Sequence, residues 1–116
     1  MTLELGMVTI DCADARTLAD FWAKALGVEV AADYGEFVMT TPTPSGTRIG
    51  LQQVPEPRAG KNRVHVDLVT ADRQAEVARL VGLGATAIAE HTMPGLSWTV
   101  LTDPEGNEFC VGSEHG

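Results

Sequence analysis

No stretch of this sequence stays apolar for anything near the ~20 residues that a membrane-spanning helix needs. Its opening, Met1-Thr2-Leu3-Glu4-Leu5, lacks the basic region of a secretory signal. The expected location is therefore the cytoplasm. Cysteine is scarce: 116 residues contain two, Cys12 and Cys110. Two thiols at opposite ends of a chain do not form the disulfide framework of a small secreted domain, and both are expected to be free. Basic residues are few as well. Eight Lys and Arg stand against sixteen Asp and Glu, a net charge of −8. Phosphate backbones and anionic lipid surfaces are held by clustered Lys and Arg. Neither nucleic acid nor a membrane is an expected partner. The acidic surplus favours solubility and, more sharply, cationic small molecules.

What is present is the balance of a folded globular chain, 44% hydrophobic and 21% charged residues. The length suits one domain, residues 1–116, with a core that needs no staples.

Apolar and polar residues alternate from Gly6 to Cys12, which predicts a strand with Val8, Ile10 and Cys12 on one face. Leu18, Phe21, Trp22, Ala25 and Leu26 then form one helical stripe. Asp14 is placed to cap its start and Gly27 to end it. Strands are predicted over 28–32, 36–41 and 47–54, separated by Asp33-Tyr34-Gly35 and by Pro42-Thr43-Pro44-Ser45-Gly46. Residues 55–61, with Pro55 and Pro57, read as a connector.

The pattern then restarts. Residues 63–68 alternate as the first strand did, and Val77, Leu80 and Val81 supply a helix stripe behind a candidate cap, Asp72. Strands are predicted over 85–91, 96–102 and 107–112, with turns at Met93-Pro94-Gly95 and Asp103-Pro104-Glu105-Gly106. Val8-Thr9-Ile10-Asp11 is echoed by Val64-His65-Val66-Asp67, and Leu26-Gly27 by Leu83-Gly84. The order β-α-β-β-β therefore occurs twice, as an α+β fold with module one at about 6–54 and module two at about 62–112.

Strand parity gives candidate pocket residues. Each helix should cover the apolar face of its own sheet, here Val8, Ile10, Ile49, Leu51, Val64, Val66, Leu68, Phe109 and Val111. The opposite faces carry Thr9, Asp11, Gly50, Gln52, His65, Asp67, Glu108 and Cys110. Converging polar groups in a concave site are the usual form of a small-molecule pocket. Each has a plainer role open to it. His65 can be a solvated histidine, Asp11 and Asp67 can satisfy helix-start donors, Glu108 can be solvated and Cys110 can be core filler. Trp22 belongs to the helix stripe, whereas Trp98 has core and pocket equally open to it.

Three stretches resemble one known group. They are Asp11-Cys12-Ala13-Asp14 with Leu18-Ala19-Asp20-Phe21-Trp22 and Leu26-Gly27, Gln52-Gln53-Val54-Pro55-Glu56-Pro57 leading to Lys61-Asn62-Arg63-Val64-His65-Val66-Asp67-Leu68, and Asp103-Pro104-Glu105-Gly106-Asn107-Glu108-Phe109-Cys110-Val111. On these the chain is similar to the short glyoxalase-like branch of the vicinal oxygen chelate superfamily, which includes glyoxalases, bleomycin-resistance proteins and dioxygenases. The resemblance implies two modules with curled mixed sheets around a cleft, and a homodimer. It also implies a divalent metal held by the first and last strands of each module, with a carboxylate moving protons. Carried over position by position, the ligands fall on His65, Cys110, Gln52 and either Met7 or Thr9. Only His65 is a strong ligand for such ions. The expected function is small-molecule binding in an internal pocket, of a cationic or aromatic ligand and with well below one equivalent of metal. The alternative is a metal-dependent lyase, isomerase or dioxygenase using His65, with Glu108 as a second catalytic candidate.

Overall fold

A computed structural model describes residues 3–113. Strand β1 (Met7–Cys12) exposes Met7, Thr9 and Asp11 and turns Val8, Ile10 and Cys12 inward, following the alternation of its sequence. Helix α1 (Ala15–Leu26) starts where the Asp14 carboxylate accepts the Thr17 N–H. It ends at Gly27, whose φ of 69° is a left-handed cap that a Cβ would strain. Leu18, Phe21, Trp22 and Ala25 are buried, with Phe21 and Trp22 edge to face at 5.3 Å, while Leu26 is half-buried. Strands β2 (Val30–Asp33), β3 (Phe37–Thr40) and β4 (Arg48–Gln53) complete the first unit. Its sheet runs β1-β4-β3-β2, with β1 parallel to β4 and the other pairs antiparallel. Val38, Ile49 and Leu51 meet the helix; full burial of a side chain such as Leu51 is worth roughly 2 kcal/mol.

The second unit repeats this plan. It consists of β5 (Val66–Thr70), α2 (Arg73–Leu83), β6 (Thr86–Met93), β7 (Leu96–Thr102) and β8 (Glu108–Ser113), in the sheet order β5-β8-β7-β6. Again the first strand is parallel to the last. Asp72 caps α2 through the Ala75 N–H, and Gly84 ends it at φ 122°. The second strand of each sheet is bulged, at Ala31 and at Ile88. The chain is thus α+β, with two four-stranded mixed sheets that are not closed into a barrel. The two compact units divide between Ala59 and Gly60. No described helix is long and apolar enough to cross a membrane.

Two expectations fail. The strand expected over 63–68 begins at Val66 and runs on to Thr70. The Asn62 side chain accepts the Glu108 N–H at 2.9 Å, so ladder pairing starts only at Val66 opposite Phe109. Val64, expected on the apolar face, is consequently 78% exposed. The second helix stripe is also thinner than expected: Leu80 is buried, but Val81 is 45% exposed. A groove of about 600 Å³ lies between β6 and α2, lined by Ala87, Ala89, Val77 and Ala78 among others. Arg73 spans this side, donating to Glu90 at 3.0 Å and to Thr99 at 2.6 Å.

Candidate functional site

The Arg73 contact fixes which face of the second sheet is which. Thr99 looks toward α2, so its neighbours Trp98 and Val100 look the other way. Register carries this open face across the sheet: Trp98 pairs with Gly112, Val100 with Cys110 and Thr102 with Glu108. Asp67 pairs with Cys110 and Val69 with Gly112. Trp98, Asp67, Glu108 and Cys110, each named by parity or left open between two faces, therefore share one surface.

His65 lies just ahead of β5 but reaches the same surface, its Nε2 3.6 Å from Asp67 Oδ1. The nearest ligand atoms of His65, Asp67 and Cys110 all lie within 4.8 Å of one another. Asp67 is exposed and Cys110 buried. Burial pushes the Cys110 thiol up from its ordinary value; the Asp67 charge and hydrogen bond and the Glu108 charge add to this, and Lys61 opposes them. A thiol held neutral this way is a weak nucleophile.

At the other end of the face, Trp98 stacks on His91, with ring centroids 5.2 Å apart and planes 27° apart. The side toward β8 is open, because the residue opposite is Gly112.

In the first unit, Thr9, Asp11 and Gln52 share the open face of the first sheet, Thr9 opposite Gly50 and Asp11 opposite Gln52. Thr9 crowds Gly50 together with Met7 and Phe37; a Cβ at Gly50 would lie 2.9 Å from Met7 Sδ and 3.1 Å from Phe37. Gln52 donates from its amide to the Glu36 and Gln53 carbonyls, at 3.2 and 3.3 Å. Its amide nitrogen holds the backbone. The helix caps are Asp14 and Asp72, as expected, and not Asp11 or Asp67.

Three participants escaped the sequence reading. Lys61 pairs with Glu108 at 3.1 Å and brings a positive charge to the acidic face. Asn62 anchors the chain ahead of His65. His91 backs Trp98, and counting out from the Pro94-Gly95 turn would have found it, since Met93 opposite Leu96 puts His91 opposite Trp98. Both cysteines are buried, and neither is joined in a disulfide.

Within the second sheet the donors fit a hard divalent ion poorly, since a thiol stands where a carboxylate would be needed. What the second sheet offers is a carboxylate beside a histidine, a buried thiol and an aromatic platform, all on one face.

The sequence profile of the glyoxalase-like domain matches residues 7–112. Comparison with curated proteins yields no match. Among solved structures, a glyoxalase/bleomycin resistance protein/dioxygenase family enzyme from Burkholderia phytofirmans superposes with a TM-score of 0.79 at 19% identity, covering 96% of this chain and 98% of that one. A glyoxalase family protein from Bacillus cereus gives 0.78 at 19% identity, covering 100% and 97%. A member of the glyoxalase/bleomycin resistance protein/dioxygenase superfamily from Sphaerobacter thermophilus gives 0.76 at 25% identity, covering 97% and 98%.

Proposed function

The chain belongs to the glyoxalase-like domain family, and from that premise we propose that it binds a small cationic aromatic molecule on the open face of its second sheet. One observation carries this reading: Trp98, with the gap over Gly112 beside it, shares that face with Asp67. Glu108 is offset by Lys61, but the partner of Asp67 is His65, which carries charge only when protonated. The exposed Asp67 carboxylate is therefore the group that selects for positive charge. Binding needs no Mg²⁺ or Mn²⁺. The few basic residues and the scarcity of cysteine support a cytoplasmic protein without a nucleic-acid partner. Its working form is a homodimer, supported by β6, an unpaired sheet edge whose residues are all exposed.

Calorimetry on matched cationic and anionic aromatics at two salt concentrations tests the proposal. Cations should bind more tightly, the preference should shrink with salt, and Asp67→Asn should remove it. Glutathione conjugates, being anionic, should bind poorly. Preferential binding of anions would sink the reading.

A second reading has one observation in its favour. The 3.6 Å approach of His65 to Asp67 is an arrangement suited to moving protons. It supports a metal-dependent lyase, isomerase or dioxygenase with Glu108 nearby. Turnover that is abolished in His65→Ala would select this reading over simple binding.

A further inference from the structure

The groove between α2 and β6 opens on the helix side of the second sheet, the face opposite Trp98 and Asp67. Its volume of about 600 Å³ falls within the roughly 300–1,000 Å³ usual for small-molecule sites. Neighbouring rows of α2 form one wall, Arg73 with Val77 and Gln74 with Ala78, each pair one turn apart. The contact from Arg73 to Glu90 marks a polar end. Val77, Ala78, Ala87 and Ile88 make the rest apolar.

The polar end has bonding capacity that the protein leaves unused. The Arg73 guanidinium is held through Nη1, which donates to Glu90 Oε1 at 3.0 Å and to Thr99 Oγ1 at 2.6 Å. Among the described residues, Nε and Nη2 have no acceptor and Glu90 Oε2 has no donor. The Arg73 side chain is 17% exposed, yet no buried side-chain nitrogen or oxygen among the described residues lacks a partner. Nε and Nη2 therefore reach the surface, and the surface that Arg73 lines is the groove. Together they present two parallel N–H donors on one edge of a planar group.

Charge narrows what fits. Arg73 and Glu90 cancel, so this groove is electroneutral in a chain of net charge −8. A carboxylate would meet Arg73 but also Glu90; an ammonium would meet Glu90 but also Arg73. Each gains one attraction and one repulsion. A neutral amide escapes both repulsions, since its carbonyl accepts from Arg73 and its N–H donates to Glu90 Oε2. Hydrogen bonds to charged groups are the stronger kind.

We propose that this groove is a second small-molecule site, for a neutral amide with an apolar body. The amide sits on Arg73 and Glu90, and the body lies against Val77, Ala78, Ala87 and Ile88. The site stands apart from the ligand reading, because the two occupy opposite faces of the sheet. Edge pairing of β6 in a dimer runs in the plane of the sheet, whereas the groove opens on its helix side.

The experiment is titration of the full-length protein with para-butylbenzamide, followed by backbone amide NMR shifts. The matched benzoate and benzylammonium serve as charged controls. Each is scored only at residues 73–78 and 87–90, so that binding beside Trp98 does not count. The amide should saturate these shifts, leave the Trp98 indole signal unmoved and bind there about tenfold more tightly than either control. Arg73→Lys keeps the charge but lacks the two-donor edge, and should weaken the amide about tenfold. Ala78→Phe alters an exposed helix position, fills the apolar end and should weaken it as much. Glu90→Gln leaves the groove positive and should raise the benzoate to at least the affinity of the amide, an exchange that a purely structural Arg73–Glu90 pair would not produce. Four results would each overturn the assignment: no saturable shift at the groove, a charged control bound there as tightly as the amide by wild type, undiminished affinity in both Arg73→Lys and Ala78→Phe, or tighter binding in Met93→Lys/Leu96→Lys, which would place a second copy of the chain in the groove.

Discussion

Asp103 and Asn107 close the turn before β8 through a doubled contact: the Asn107 amide donates to both oxygens of the buried Asp103 carboxylate, at 3.1 and 3.0 Å. Asp103 also accepts the backbone N–H groups of Glu105 and Asn107. Asn107 Oδ1 takes the Asn62 amide at 3.4 Å, and Asn62 in turn accepts the Glu108 N–H. The chain leading to His65 is thereby tied to the turn.

Removing that carboxylate should be costly. Hydrogen bonds to a charged group are worth about 1.5–3 kcal/mol, and the donors left behind are partly buried. Asp103→Ala should destabilise the protein by about 3 kcal/mol in urea unfolding. Asp103→Asn should cost less, because it keeps an acceptor for the backbone donors, but more than nothing, because two amide groups then meet. Equal stability of wild type and Asp103→Ala would contradict the assigned role.

Acid should weaken the first unit through two exposed carboxylates. The Thr17 N–H, then its hydroxyl, hold Asp14 below its ordinary 3.8. The Gly35 N–H, then Arg16, do the same for Asp33. A carboxyl whose folded pKa lies below its unfolded one stabilises the fold above the unfolded value and loses that contribution as pH falls through the folded one. Melting temperature should therefore drop more steeply below about pH 4 in wild type than in Asp14→Asn/Asp33→Asn, which keeps capping oxygens that do not titrate. Parallel melting curves for the two proteins would contradict this.

Much of the fold was legible because its signals are local. Asp14, Gly27 and Asp72 cap their helices by chemistry confined to a few residues, and all three stand where the sequence put them. The site was legible only where strand parity sufficed, as for Asp67 and Cys110. The start of β5 depends on Asn62 reaching Glu108, and the charge on the open face depends on Lys61 reaching the same residue. No local pattern records either contact. On β7 the sequence left both faces open. Leu96, Trp98 and Val100 form the apolar set, yet buried Thr99 and Leu101 face the helix, with the Thr99 hydroxyl satisfied by Arg73.

The exposed edge of β6 leads to a prediction about assembly. Met93 and Leu96, opposite each other at the hairpin end, are 55% and 46% exposed. Neither Lys nor Pro lies within β6 to blunt its edge, and the bulge at Ile88 leaves the stretch from Ala89 onward regular. Light scattering should give a mass near twice 12.3 kDa. Met93→Lys/Leu96→Lys should shift the protein toward monomer without lowering its helix and strand content. A wild-type monomer at micromolar concentration would rule the dimer out.

Trp98 gives the most direct test of the ligand reading, because the two tryptophans occupy different settings. Trp22 is buried at 1% exposure and packs on Phe21, so a ligand on the open face of the second sheet should leave its emission unchanged. Trp98 is half-buried with a gap beside it, and a planar cation resting there should quench it. A cation–π contact of about 1 kcal/mol corresponds to a several-fold change in affinity, and stacking adds to that. Trp98→Ala should therefore weaken a cationic aromatic about tenfold, with Trp98→Phe in between. Gly112→Ala probes the gap itself. A Cβ at Gly112 meets nothing closer than 3.8 Å, Trp98 Cβ among its neighbours, so the substitution fits the strand while narrowing the space next to the indole. It should weaken binding as much as Trp98→Ala and leave the melting temperature nearly unchanged. Undiminished binding in both variants, or quenching that persists in Trp98→Ala, would move the ligand off this face.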